Sequence, residues 1–171
     1  LSLALNVVGV GWGLPNDRSW SNDDQTPKVP LRIGQVWCCG TDKYPYLQPL
    51  ITRAVYAPAL AWWRARGELD VPCAKLSGTD CFHRPFEQFG LLMLLSRLLA
   101  ALMGVGTVAA VYVLADRIYR DRRAALGAAL ATAVVHELVL FSHFGNADVP
   151  YLFWFAWSIA SFVAILDRGH V

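Results

Sequence analysis

The chain has 171 residues, of which 56% are hydrophobic and 16% are charged, and its mean hydropathy is +0.38. Soluble domains usually carry about 25% charged and about 45–50% apolar residues, so this composition favours an integral membrane protein. The formal net charge of +2 is too small to indicate a nucleic-acid partner, and no basic run alternates with aromatic residues as in proteins that bind single strands.

The first apolar segment, residues 1–14, is shorter than the roughly 20 apolar residues that a membrane-spanning helix needs. The chain also begins without Met and stops directly after another apolar segment. We therefore expect residues 1–14 to be the end of a first transmembrane helix and the chain to be an N-terminal fragment. Neither a charged region nor a small-residue cleavage site marks a signal peptide.

Residues 45–66 are apolar enough to span a membrane, but Pro49, Arg53 and Pro58 interrupt the apolar run. The segment therefore either crosses the membrane or lies flat in its interface, with its tryptophans at the level of the lipid headgroups. We prefer the flat placement. It makes residues 15–88 one long extracytoplasmic loop that carries interfacial helices, and a loop of this length is usually functional.

The four cysteines of the chain all lie in this loop, at Cys38, Cys39, Cys73 and Cys81. An extracytoplasmic loop permits disulfides, but the sequence leaves their pairing open. A metal site built from these cysteines and His83 would lack a recognisable CxxC or HxxxH spacing. We therefore predict no metal site in the loop.

Residues 89–171 contain three apolar runs, which we predict to be transmembrane helices at about 90–115, 124–141 and 149–166. A soluble helical bundle is the alternative, although soluble helices seldom run this long without a polar face. The turn between the first two runs holds four arginines, and the positive-inside rule places it in the cytoplasm. These arginines are Arg117, Arg120, Arg122 and Arg123. The predicted fold class is an all-α integral membrane protein, a multi-span helical bundle with a long extracytoplasmic first loop that carries juxtamembrane helices.

Ionisable residues near the predicted outer membrane surface are the candidates for chemistry. Asp23 and Asp24 form either a solvated turn or a carboxylate pair for acid–base work. Lys43 is either a lysine that snorkels to the surface or a point charge for a phosphate. His143 and Asp148 lie between two predicted spans, where they are either functional or solvated, and Asp148 also suits the N-cap of a helix opening at Val149–Pro150.

Arg97 is the remaining candidate, at the outward end of the first long run. It either snorkels or pairs with a phosphate or with one of the aspartates. His136 and Glu137 are adjacent on a predicted helix, so their side chains point to different faces and cannot form one site together.

Four stretches of the sequence resemble one family when they are taken together and in order. They are SNDDQTP at 21–27, KYPYLQPLI at 43–51, the two predicted spans and their basic turn at 96–134, and SHFGNADVPYLFW at 142–154. They resemble the lipid-carrier-dependent glycosyltransferases of the GT-C type, close to the protein O-mannosyltransferase and aminoarabinose transferase group. They are spread over residues 21–154, which is most of the length of the chain.

The resemblance implies a role for each matched residue. Asp23 would be the general base that deprotonates the acceptor, and Asp24 stands beside it where the family usually has Glu. Lys43 would contact the lipid-linked phosphate, and Asp148 would line the same cavity with Arg97 nearby. We add two neighbours of these residues as candidate substrate-binding groups. They are Tyr44 and His143.

The implied reaction moves a sugar from a polyprenyl-phosphate donor to an extracytoplasmic acceptor at the plasma membrane, with inversion at the anomeric carbon. The acceptor is a protein, a lipid or a glycan, and the sequence leaves that choice open. No cofactor is expected, whereas dependence on a divalent metal is left open. The alternative is a transporter or channel subunit with an outward-facing polar cavity, but the sequence shows neither broken helices nor internal symmetry.

Overall fold

The computed structural model describes residues 1–14, 27, 30–31, 47–69, 80–145 and 147–168, the side chains of 80–86 and 168 excepted. Every regular element in these ranges is an α-helix, which confirms the predicted all-α class. The helices are α1 (Ser2–Val7), α2 (Leu47–Ala65), α3 (Asp80–Tyr119), α4 (Arg122–Ala133), α5 (His136–His143) and α6 (Asp148–Arg168).

Two helices are each long and apolar enough to cross a membrane, namely α3 from Glu87 to Tyr119 and α6 from Asp148 to Asp167. The 33 residues of this part of α3 are about 50 Å long at about 1.5 Å per residue, whereas the hydrocarbon core of a bilayer is about 30 Å thick. Part of α3 must therefore tilt or extend beyond the hydrocarbon.

Helices α4 and α5 pass the same test only together, and they meet at a bend of 52°. The pair is therefore a broken span or a re-entrant loop, where the sequence had indicated one continuous run at 124–141. The hydroxyl of Thr132 donates to the Ala128 carbonyl over 2.9 Å, a contact that often bends helices. Val135 then adopts an extended conformation and separates the two helices.

Helix α2 occupies the segment that the sequence left ambiguous, and it continues through Pro58. It is not among the helices of the described ranges that are apolar enough to span. Near its end, the Arg66 guanidinium lies over the Trp62 ring at 4.2 Å. A cation stacked on Trp suits the membrane interface, where both groups are common. The flat placement of α2 stays a prediction that these contacts favour.

The chain divides into two compact units, and residues 11–96 form one of them. Its core is built from α2 and α3, where Tyr56, Trp63 and Leu92 are buried together. The Tyr56 hydroxyl forms a hydrogen bond with the Ser96 hydroxyl, which in turn donates to the Leu92 carbonyl over 3.2 Å. A polar contact therefore joins the two helices inside an otherwise apolar cluster.

Residues 1–10 and 97–171 form the other unit, in which α5 packs against α1, α4 and α6. Glycines let α3 approach its neighbours closely in this unit. A Cβ at Gly106 would lie 2.5 Å from the Phe153 ring of α6, and one at Gly104 would lie 2.6 Å from the Ser142 hydroxyl of α5. Small residues at such contacts are typical of packed membrane helices.

The basic turn joins α3 to α4 at one end of the same unit. Arg120 has a positive φ of 51°, and Asp121 caps α4 by accepting a 2.8 Å hydrogen bond from the Arg123 amide. Asp167, near the end of α6, lies 4.0 Å from Arg117 and 3.7 Å from Arg120. The end of α3, the start of α4 and the end of α6 therefore meet at one place.

Candidate functional site

Arg97 lies on α3 and is almost completely buried, with 2% of its surface exposed. Its Nη1 donates a 3.1 Å hydrogen bond to the backbone carbonyl of Val10. The helix rises about 33 Å from Arg97 to Tyr119, close to the thickness of the hydrocarbon core, at about 30 Å. This length fits the predicted placement of Arg97 at the outward end of the span, with the basic turn at the opposite membrane surface, and that placement stays a prediction.

His143 is the last residue of α5, and both of its ring nitrogens lie against backbone carbonyls. Nδ1 is 2.7 Å from the Val139 oxygen, one turn earlier in α5, and Nε2 is 2.7 Å from the Val8 oxygen. A neutral imidazole donates from one nitrogen only, so both contacts are hydrogen bonds at the same time only in the imidazolium form. The Nε2 contact joins the end of α5 to the chain that follows α1.

The two carbonyls that receive Arg97 and His143 belong to one short turn, residues 8–10, which we call the Val8–Val10 turn. Val8 ends α1 in an extended conformation, and Gly9 follows with φ +85°. The Val10 amide donates to the Val7 carbonyl over 3.1 Å and closes the turn. Carbonyls beyond a helix end have no intrahelical partner, so donors from α3 and α5 satisfy two carbonyls of the turn that follows α1.

Asp148 is the first residue of α6, and its side chain is exposed. The helix therefore begins one residue before the start at Val149–Pro150 that the sequence suggested. A carboxylate in the first turn interacts favourably with the helix dipole, and Pro150 is tolerated there because that turn needs no amide donor from it. The Ala147 carbonyl accepts the first helical bond, from the Tyr151 amide at 3.1 Å.

A buried polar junction beside the Val8–Val10 turn was missed by the sequence analysis. Asn6 of α1 is fully buried and donates through Nδ2 to the Ser2 carbonyl over 2.8 Å. Ser142 of α5 is also fully buried and donates to the Leu138 carbonyl over 2.7 Å. Both side chains lie against Gly104 of α3. Asn6 is a strongly polar residue inside the first apolar segment, and this position could have indicated its role from the sequence.

Four of the seven predicted site residues lie outside the residues that the structure describes. They are Asp23, Asp24, Lys43 and Tyr44. The structure brings Arg97 and His143 to the same turn and places Asp148 at the start of the next helix after His143. The pairing of the four cysteines also lies outside the described side chains. Within the described part of the chain, no group of three His, Cys, Asp or Glu side chains is arranged to hold a metal ion.

Residues 87–171 match the family model described as dolichyl-phosphate-mannose-protein mannosyltransferase. In these residues, just under half of its length, the chain is similar to that family. The match covers the apolar part of α3 and everything after it, including Arg97, His143 and Asp148. No curated protein and no solved structure matches the chain. The resemblance to GT-C glycosyltransferases is therefore confirmed at the level of the family, and so is the integral membrane class.

Proposed function

We propose that this protein transfers a sugar from a polyprenyl-phosphate donor to an extracytoplasmic acceptor, with inversion at the anomeric carbon. The match of residues 87–171 to a family of mannosyltransferases that use a lipid-phosphate sugar carries this proposal. The helices that can span a membrane support it, because a lipid-linked donor must be bound at the bilayer. Mannose is the donor sugar that the family description favours.

The chemistry needs one base and one cationic group. The bond between the anomeric carbon and the phosphate oxygen breaks, and a bond from the acceptor oxygen or nitrogen to the same carbon forms on the opposite face. The acceptor's proton passes to Asp23, which acts as general base. The leaving lipid phosphate is already an anion, so it is stabilised by the Lys43 ammonium rather than by protonation. Asp148 and Tyr44 complete the donor site.

Asp24 is assigned to the catalytic pair with Asp23, but in a supporting role. Its side chain is one methylene shorter than the Glu that the resemblance leads us to expect at this position. A shorter carboxylate reaches less far, so Asp24 is the weaker candidate for direct contact with the acceptor. Asp23 carries the proton transfer in this proposal.

The experiment is a turnover assay on the full-length protein in nanodiscs, with dolichyl phosphate [³H]mannose as donor and a panel of Ser/Thr peptides, lipids and glycans as acceptors. General-base catalysis is typically worth about 10²–10⁴ in rate, so Asp23→Asn should lower kcat by about that factor. Asp17→Asn removes a carboxylate six residues earlier and is the matched control, expected near wild type. Wild-type turnover in Asp23→Asn would show that Asp23 is not the base.

One observation favours the alternative of a transporter, namely the 52° bend between α4 and α5. Broken helices are typical of transporters, where they line substrate and ion paths. The family match favours transfer over transport. Solute uptake into proteoliposomes, without any sugar transfer to the acceptor panel, would reverse this preference.

A further inference from the structure

Two side chains from different helices reach the same short stretch of backbone. Arg97 of α3 donates to the Val10 carbonyl over 3.1 Å, and His143 of α5 lies 2.7 Å from the Val8 carbonyl. Only Gly9 separates the two acceptors. The Val8–Val10 turn is therefore held from two sides, by two residues that the sequence had suggested as substrate contacts.

The burial of Arg97 favours contact with the backbone over contact with a substrate. With 2% of its surface exposed, Arg97 offers almost no area to a lipid-linked sugar. His143 is partly buried, and both ring nitrogens are within hydrogen-bond distance of main-chain oxygens. A nitrogen already directed at a carbonyl is poorly placed to bind a phosphate as well.

We propose that Arg97 and His143 are positioning residues, which hold the Val8–Val10 turn after α1 instead of contacting the donor. This rests on the proposed function, in which Asp23 is the general base. A misplacement of about 1 Å that originates far from the chemistry costs about 10²-fold in rate, so we expect a loosened turn to lower kcat without removing any substrate contact.

Gly9 provides a test that involves no substrate-binding side chain. Its φ of +85° is a conformation that L-residues with a Cβ rarely adopt, and a Cβ there would meet nothing within 4 Å. Gly9→Ala therefore perturbs the turn through its backbone alone. Gly11→Ala is the matched control, because Gly11 also has open space around its Cβ position and lacks a positive φ.

The kinetic experiment measures kcat and the KM for dolichyl phosphate [³H]mannose in the full-length protein. We expect Arg97→Met, His143→Leu and Gly9→Ala to lower kcat by about 10–100-fold with KM for the donor within about twofold of wild type. Arg97→Lys and His143→Gln each retain N–H donors and should recover part of the loss. The matched controls Gly11→Ala, Arg117→Met on α3 and His136→Gln on α5 should stay near wild type.

Amide hydrogen exchange of the same variants shows whether the turn itself has loosened. Peptides covering residues 8–14 should exchange faster in Arg97→Met and His143→Leu, while peptides from 100–119 should be unchanged. The double variant Arg97→Lys/His143→Gln should lose less than the product of the two single losses, because both residues hold one turn. The conservative variants keep the test valid if Arg97→Met or His143→Leu does not fold.

The possible results separate this inference from the proposed function. A raised donor KM with kcat unchanged would make Arg97 or His143 a substrate-binding residue and overturn the positioning role, leaving the transferase proposal in place. Unchanged exchange at 8–14 in every variant would overturn it as well. Wild-type turnover in Asp23→Asn, together with lowered kcat in Gly9→Ala, would show that Asp23 is not the base. The role of the Val8–Val10 turn in activity would then still stand. Equal kcat in Gly9→Ala and Gly11→Ala would reject the role of the turn.

Discussion

Gly106 of α3 faces the ring of Phe153 of α6 so closely that a Cβ at this glycine would lie 2.5 Å from the ring atom Cε2. The Phe153 ring is itself packed edge-on against Trp154 and Trp157, with centroids 5.0 and 6.4 Å away. Helices α3 and α6, each apolar enough to span a membrane, therefore come into contact at a glycine, which has no Cβ to separate them.

Replacing Gly106 with Ala should therefore destabilise the protein. Overpacking costs about 1–3 kcal/mol, and the better helix propensity of Ala returns about 1 kcal/mol, so we expect a net loss of up to about 2 kcal/mol. Gly127→Ala on α4 is the control, because its Cβ would meet nothing within 4 Å and the propensity gain should appear alone. Thermal unfolding in detergent measures both. Equal shifts in melting temperature would contradict the close contact.

Tyr56→Phe should weaken the unit formed by residues 11–96. Tyr56 is fully buried and its hydroxyl is hydrogen-bonded to Ser96, so removing it should cost about 0.5–1.5 kcal/mol. Ser96 keeps its bond to the Leu92 carbonyl, which limits the loss. Tyr119→Phe, at a side chain 68% exposed, should leave the melting temperature unchanged. A loss in Tyr119→Phe as large as in Tyr56→Phe would mean that burial does not decide the effect.

Cysteine labelling tests the flat placement of α2. In a background with the four native cysteines changed to serine, Asp17→Cys and Asn146→Cys should react with a membrane-impermeant maleimide on intact cells. Arg122→Cys in the basic turn should react only after permeabilisation, because the positive-inside rule places that turn in the cytoplasm. Labelling of Asp17→Cys and Asn146→Cys from opposite sides would mean that α2 spans the membrane, and it would separate Asp23 from Asp148.

Asp167→Asn should have a small effect on stability despite removing two ion pairs. The carboxylate lies 4.0 Å from Arg117 and 3.7 Å from Arg120, and all three side chains are a third or more exposed. Exposed pairs of this kind contribute less than about 1 kcal/mol, and salt weakens them further. The free energies of unfolding of wild type and Asp167→Asn should differ less at high ionic strength than at low ionic strength. A large loss that persists in high salt would indicate a structural role for Asp167 beyond these pairs.

Local patterns in the sequence indicated the long apolar helices and the family resemblance, but not the break within the run at 124–141. Runs such as 149–166 are apolar over the length of a bilayer, and such a run forms a helix because backbone hydrogen bonds in lipid must close within the segment. The helix Asp148–Arg168 covers this run. The quoted stretches around Arg97, His143 and Asp148 pointed to a GT-C glycosyltransferase, and the family match contains all three residues.

Tertiary structure decided what Arg97 and His143 touch. Their partners are the main-chain carbonyls of Val10 and Val8, which are distant in the sequence. Every residue has such a carbonyl, so the residue types do not indicate which one accepts the hydrogen bond. Gly9 looked like any small residue in an apolar run, and its need for φ +85° exists only because the chain turns there. The break between α4 and α5 likewise has no Pro or Gly at residues 130–137 that would mark it in the sequence. The length of its apolar runs determines which segments form long helices, because lipid forces backbone hydrogen bonds to close within a segment. Hydrogen bonds between residues far apart in the chain determine which side chains hold the Val8–Val10 turn.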